Sequence, residues 1–211
     1  MLSVPAIANM LKIKAFKETD PRGIADLLKE DRDEVCDFYL SEAQKCEGLM
    51  VTNTYDLFLE EQFCGFFTLS NYLLELDRDR RRDQLMEKKH LPCTPPAALL
   101  GRLYILKKYR RKGHGAEAMW QAIRICLNSK TACRFLVLHV EREKEHLFDA
   151  YSSLGWIRVS GMSTMFFDLL RYKLHARRLK KLASLPPKEE LKAFAELQKQ
   201  ERQQQRLNLQ F

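Results

Sequence analysis

The chain has 211 residues, 45% hydrophobic and 30% charged, with 36 Lys and Arg against 28 Asp and Glu for a formal charge of +8. That composition excludes a chain disordered throughout, and eight Gly and seven Pro exclude a collagen-like or linker-like polymer. No window approaches the roughly 18–20 apolar residues of a membrane span. Met1 to Ile7 lacks the basic start of a signal peptide, so the chain reads as soluble and cytoplasmic, with no membrane partner.

Six cysteines (Cys36, Cys46, Cys64, Cys93, Cys126, Cys133) form no CxxC pair, and apolar settings such as Ile125-Cys126-Leu127 read as those of small buried hydrophobes. His90 and Cys93 offer two zinc ligands without a second pair, so no metal site is expected. The charge is unevenly placed. Residues 171–211 hold 11 Lys and Arg against 4 Asp and Glu, a net of +7. Residues 1–170 hold 25 against 28 − 4 = 24, a net of +1.

In chain order, Leu11 to Lys17 alternates apolar and basic residues, the period of a half-buried strand. Asp20 and Pro21 open a short helix through Leu28, as cap and first turn. Asp33 to Lys45 places Val35, Phe38, Tyr39 and Ala43 at helical spacing. Val51 to Leu59 and Phe63 to Leu69 read as an antiparallel hairpin turning at Glu60 to Gln62. Glu75 to Lys89 is a highly charged helix or loop, ended by prolines. Leu99 to Leu106 reads as a central strand. Met119, Ala122, Ile123, Cys126 and Leu127 then share one helix face, and Cys133 to Val140 is the next strand. A helix over Glu143 to Leu154 and two closing strands, Trp156 to Val159 and Thr164 to Leu169, follow. Arg171 to Ala183 reads as a basic helix carrying Leu174, Leu179 and Leu182. Pro186 and Pro187 break it and hinge a second helix, Lys188 to Leu207, away from the last strand.

Two motifs point to chemistry. Lys107 to Lys112 puts five positive charges in six residues, directly before Gly113-His114-Gly115 and a helix. Successive N–H groups in such a turn form an anion nest at the positive end of the helix. Arg110 to Ala116 fits R-x-x-G-x-G/A, and Phe148 to Trp156 fits x-Y-x-x-L-G-aromatic. In that order, about 35 residues apart, these motifs make the chain resemble the GNAT N-acetyltransferase superfamily. The resemblance implies an α+β, three-layer acyl-CoA N-acyltransferase fold. In it a mixed, mostly antiparallel twisted sheet is flanked by helices, here over residues 1–170 with a basic helical extension over 171–211. It implies acetyl-CoA as cosubstrate and transfer of acetyl to a primary amine.

The resemblance also implies roles. The backbone of Leu103, Tyr104 and Ile105 would hold the pantetheine arm. Arg110, Arg111, Lys112, Gly113, His114, Gly115 and Ala116 would hold the phosphates. Tyr151 would act as general acid on the thiolate. Arg102 is a candidate substrate contact. Asp56, Glu60 and Glu61 are the weak candidates for a base. His139 reads as a core histidine, and His114 as an exposed loop residue. Asn53 to Tyr55, Gly65 to Ser70, Leu100 to Leu103 and Met165 to Leu169 are similar to the bacterial GNAT toxins. That group pairs with ribbon-helix-helix antitoxins and acetylates aminoacyl-tRNA. Three readings stay open. One is an enzyme on charged tRNA with an antitoxin partner. Another is an enzyme on a small or protein amine, with the tail serving a homodimer or other partner. The third is a non-catalytic acyl-CoA-binding or nucleic-acid-binding module.

Overall fold

The computed structural model describes residues 11–16, 19, 21–31, 33–75, 94–141, 144–159, 161–178 and 185–208. The Asp20 cap, most of the charged stretch 75–89, the His90 and Cys93 pair, and Leu179 and Leu182 lie outside the described residues. Among the described residues seven strands are hydrogen-bonded in the order β1-β2-β3-β4-β5-β7-β6. They are β1 (Lys12–Ala15), β2 (Asn53–Leu59), β3 (Gln62–Leu73), β4 (Pro96–Ile105), β5 (Phe135–His139), β6 (Ile157–Arg158) and β7 (Thr164–Asp168). The β1–β2, β2–β3, β5–β7 and β6–β7 pairs are antiparallel, and β4 and β5 are parallel. This is the mixed, mostly antiparallel sheet expected. Among the described residues no helix is long and apolar enough to cross a membrane.

The chain divides into two compact units, residues 1–70 with 101–121 and residues 71–100 with 122–211. In the first, the β2–β3 hairpin closes on Glu60 and Glu61, with φ of 50° and 65°. Those paired left-handed residues match the twist of the flanking strands. Against this hairpin lie α1 (Pro21–Asp31), α2 (Glu34–Ser41) and α3 (Ala43–Gly48). The core joins Leu28, Phe38, Tyr39, Phe63, Phe66 and Tyr104. Gly65 is required there, because a Cβ would stand 2.1 Å from the Tyr104 carbonyl oxygen. The single helix expected over Asp33 to Lys45 is two. Asp33 caps the first by accepting from Val35 N–H at 3.1 Å. The Ser41 hydroxyl donates to the Asp37 carbonyl at 2.6 Å, and Glu42 leaves helical geometry at φ −120°. A serine bonding back into its own helix competes with the backbone ladder.

In the second unit, Leu74, Ala97, Phe135, Val137, Ile157 and Phe166 form one core. Arg134 donates to Asp168 Oδ2 at 2.9 Å, and Asp168 Oδ1 accepts from Arg171 N–H at 2.9 Å. Asp168 therefore starts α6 (Leu169–Arg178) two residues earlier than the sequence suggests. The preceding helix, α5 (Leu147–Ser152), is shorter than the expected Glu143 to Leu154.

The second tail helix, α7 (Pro187–Asn208), does not hinge away. Its Phe194 is fully buried, with ring centroids 5.1 Å from Phe167 and 5.2 Å from Tyr172. Tyr172 donates to Glu190, and His175 Nε2 lies 3.2 Å from Glu201 Oε1. Pro187 sits at the first helical position, where its missing N–H costs nothing, so it starts the helix that returns to β7. Gly155 completes the contact. Its φ is 89°, and a Cβ there would meet Phe194 at 2.9 Å. Phe194→Ala is expected to cost about 3–5 kcal/mol, the usual range for emptying a buried aromatic site. A urea midpoint equal to the parent's would show that α7 packs without contributing stability.

Candidate functional site

The basic run follows β4 through a short 3-10 turn, Lys107–Tyr109, and enters α4 (His114–Asn128). Arg111 has φ 61° and Gly113 has φ 92°, so the chain reverses through two left-handed residues before the helix. Ala116 and Glu117 N–H donate to the Gly113 carbonyl at 3.0 and 3.2 Å. The N–H groups of Gly113, His114 and Gly115 have no hydrogen-bond partner among the described residues. They belong to the first turn of a helix, whose donors lack intrahelical acceptors. No atom lies within 4 Å of where a Gly115 Cβ would be. Unpartnered donors, open space, a helix dipole and surrounding cations together suit a diphosphate.

Two carboxylates organise the cations. Asp31 Oδ2 accepts from the Tyr104 hydroxyl and from Lys107 N–H, both at 2.8 Å, and the Asp31 carbonyl accepts from Lys107 Nζ. Asp33 Oδ2 lies 3.6 Å from Arg110 Nη2. Arg110 Nε donates to the Ile105 carbonyl at 2.8 Å, and its guanidinium lies 5.0 Å from the Tyr104 ring centroid. Lys108 and Lys112 lie 5.0 and 5.9 Å from the Tyr109 ring centroid. Arg111 and Lys112 are exposed. His114 is no exposed loop residue: it is the first residue of α4, its side chain is 11% exposed, and Nδ1 is 3.6 Å from Glu117 Oε2. Sequence reasoning missed Asp31 and Asp33 as partners of this run. The alternating Asp31-Arg32-Asp33 was the available signal.

The parallel ladder of β4 with β5 ends at the Leu99–Val137 pair. Arg102 then takes φ 42°, uncommon for a residue with a side chain and a break in the strand's regular course. Its guanidinium stacks 3.8 Å from the Phe38 ring centroid. Leu103 is half-buried, and Tyr104 and Ile105 are buried. In the second unit, Tyr151 lies half-buried on α5, its ring 6.4 Å from Trp156. Its carbonyl accepts from Leu154 and Trp156 N–H at 2.9 and 3.2 Å, so the L-G-W turn closes on the tyrosine's own backbone. Burial pushes the Tyr151 hydroxyl above its ordinary pKa. Lys144 pulls it down and Glu141 raises it to lesser degrees. Among the described residues no cluster of ligating side chains could hold a metal.

Residues 24–156 match the Acetyltransferase (GNAT) family. The chain belongs to this family. Acetyl-CoA is the family's cosubstrate, and the open glycine turn fits its diphosphate. No curated protein matches the chain. Among solved structures it resembles AtaT complexed with acetyl-methionyl-tRNAfMet, with 22% identity and a TM-score of 0.62 over 78% of this chain and 98% of that one. A structure described as a bacterial toxin has 14% identity and a TM-score of 0.64 over 81% and 96%. A mutant of KacT has 18% identity and a TM-score of 0.61 over 79% and 99%. At these identities the likeness shows the fold.

None of the three carboxylates considered as a base in this acetyltransferase is placed to serve. Glu60 and Glu61 make the hairpin turn, and Glu61 pairs with Lys12 and with Lys14, the latter at 3.5 Å. Asp56 is fully buried, and burial raises its pKa to about 6. Thr19 Oγ1 lies 2.8 Å from the Phe16 carbonyl and 2.5 Å from Asp56 Oδ2. The Thr19 hydroxyl donating to the carboxylate offsets only part of that rise, so Asp56 stays protonated in the fold up to about pH 6. The native state then holds a proton that the unfolded chain, with an ordinary carboxyl, has lost. Stability falls as pH rises from about 4 to 6, and the cost, up to about 3 kcal/mol, persists above that window. Asp56→Asn should match the parent near pH 4 and exceed it above pH 6 in denaturant melts. Parallel pH profiles for the two proteins would assign the carboxyl an ordinary pKa.

Proposed function

We propose that this acetyltransferase moves acetyl from acetyl-CoA to the amine of an aminoacyl-tRNA, with a cognate antitoxin protein as its partner. The observation that carries the reading is the glycine turn, which pairs N–H groups that have no partner among the described residues with open space at Gly115 and follows directly on Arg110, Arg111 and Lys112. The acceptor class is supported by the shared fold with AtaT, which was solved with acetyl-methionyl-tRNAfMet. Another AtaT structure is bound to the C-terminus of the antitoxin AtaR and acetyl-CoA. Exposed charge beyond the last strand also supports an RNA acceptor. Helix α7 buries Phe194 and leaves Lys188, Lys192 and Lys199 exposed, and α6 exposes Lys173. Lysines of this kind neutralise phosphates and make association salt-dependent.

Bound acetyl-CoA supplies the acetyl thioester. Gly113, His114 and Gly115 offer backbone donors to its phosphates, with Arg110, Arg111 and Lys112 adding charge, and Ala116 closing the turn behind them. Leu103, Tyr104 and Ile105 offer backbone groups to the pantetheine arm beyond the break at Arg102, while Arg102 itself borders the substrate. Tyr151 keeps its proton at neutral pH, because burial raises its pKa, and gives it to the departing sulfur.

Mass spectrometry of a charged-tRNA pool incubated with acetyl-CoA should show acetylated aminoacyl groups. Acetylation of polyamines or peptides alone would redirect the enzyme to a small or protein amine. Gly113→Val should abolish acetyl-CoA binding in calorimetry, because valine resists a φ of 92° and adds bulk at the turn. Tyr151→Phe should lower kcat by about 100-fold or more with little change in acetyl-CoA Kd. Turnover within a few-fold of the parent would make that tyrosine structural.

A further inference from the structure

An ammonium group is no nucleophile, so acetyl transfer to an amine requires a group that takes a proton from the acceptor. The second unit has a group suited to this. A groove of about 550 Å³ is lined by His139, Val140, Glu145, Phe148, Arg158 and Met162, among others. It continues past Met162 and Thr164 into a second hollow of about 560 Å³ walled by Tyr72 and Leu73. His139 is not the core histidine that the sequence suggests. It ends β5 with its side chain exposed while Phe135, Val137 and the residues between them are buried.

The imidazole is held, not loose. Its Nδ1 lies 3.0 Å from Thr164 Oγ1, and Thr164 is its antiparallel partner on β7. The Tyr72 ring meets it edge-on with centroids 5.5 Å apart. When Thr164 accepts from Nδ1–H, Nε2 presents its lone pair. The groove also adjoins the helix that bears Tyr151. Phe148, one turn earlier on α5, lines it, and the segment after β5 supplies Val140 and Glu145. Glu141 and Lys144 of that same segment act on the Tyr151 hydroxyl. The other charged groups are already engaged or peripheral. Arg158 stacks 3.7 Å from the Phe148 ring centroid and donates Nε–H to the Met162 carbonyl at 3.1 Å. Glu145 and Glu75 are exposed on the rims.

We propose that His139 is the proton acceptor for the substrate amine, oriented by Thr164 in a groove that receives the amine-bearing group. This rests on the acetyl-transfer reading above. The acceptor ammonium gives one proton to Nε2 and becomes a free amine. The amine nitrogen forms the bond to the acetyl carbon as the carbon–sulfur bond breaks, and the sulfur takes the proton of Tyr151. The amine's second proton and the one on His139 leave through the groove to water, with one proton returning to Tyr151. Partial burial lowers the His139 pKa below the ordinary imidazole value, which keeps the ring neutral at physiological pH.

The test compares parent and His139→Gln, which keeps a polar side chain beside Thr164. With a charged-tRNA pool as acceptor, His139→Gln should lower kcat/KM about 100-fold at neutral pH. It should also remove the acidic limb of the pH profile and leave the acetyl-CoA Kd unchanged. A second readout needs no turnover. In the protein without acetyl-CoA, the imidazole proton signal that His139→Gln deletes should titrate below the ordinary histidine range and shift on adding methioninamide. An intact acidic limb in the variant, or an imidazole signal that ignores methioninamide, overturns the assignment. If the tRNA pool is unmodified but spermidine or a peptide amine is acetylated, the proposed acceptor falls. The same His139 comparison, with the reacting amine as acceptor and probe, then decides this inference. Turnover of none of these amines removes both.

Discussion

Five cations within six residues repel one another, and the helix N-terminus behind them adds further positive potential. The first unit tolerates this arrangement because Asp31 and Asp33 stand behind it. Asp31 ends α1, and there it ties the Tyr104 hydroxyl, the backbone of Lys107 and the Lys107 ammonium into one node. Asp33 caps α2 and also faces Arg110. The loop between two helices thus fixes the approach to a third, and the turn at Gly113 enters α4 already shaped. Arg111 and Lys112 are left exposed, so the turn keeps a surplus of positive charge at the surface.

Much of this was legible in the residues. The hairpin followed from two β-branched and aromatic runs around a polar turn. Helix α4 followed from Met119, Ala122, Ile123 and Cys126 on one face, and the turn that enters it from glycines after a basic run. Illegible features depended on partners distant in sequence or on side chains that leave the backbone ladder. The break at Glu42 reflects Ser41 bonding back to Asp37, which periodicity does not reveal. The charge of residues 171–211 and the paired prolines suggested a tail hinged away from the last strand, yet α7 buries Leu191 and Phe194 while its lysines stay exposed. His139 ends an apolar strand and so looked like core. One residue's difference in register against solvent decides that, and only the extent of β5 shows it.

The molecule handles its titratable groups in two contrasting ways. Asp56 is fully buried and accepts from Thr19, and its charge state is a matter of stability. His139 lies exposed and Tyr151 half-buried, each with its pKa shifted by the protein around it. A low-dielectric setting raises the energetic stake of every proton held there. Whether that stake becomes a folding cost or chemistry depends on access to water and substrate.

The contact between Gly155 and Phe194 also bears on how the protein comes into being. Residues 155–167 leave the ribosome well before Phe194 does, so the apolar surface around Phe167 and Gly155 is made before the ring that covers it. During that interval a nascent chain displays an aromatic face to chaperones and to neighbouring chains. The turn that follows Tyr151 is likewise without its cover until α7 docks. The aromatic surface of the second unit is therefore complete only when a segment made some thirty residues later has folded back onto it.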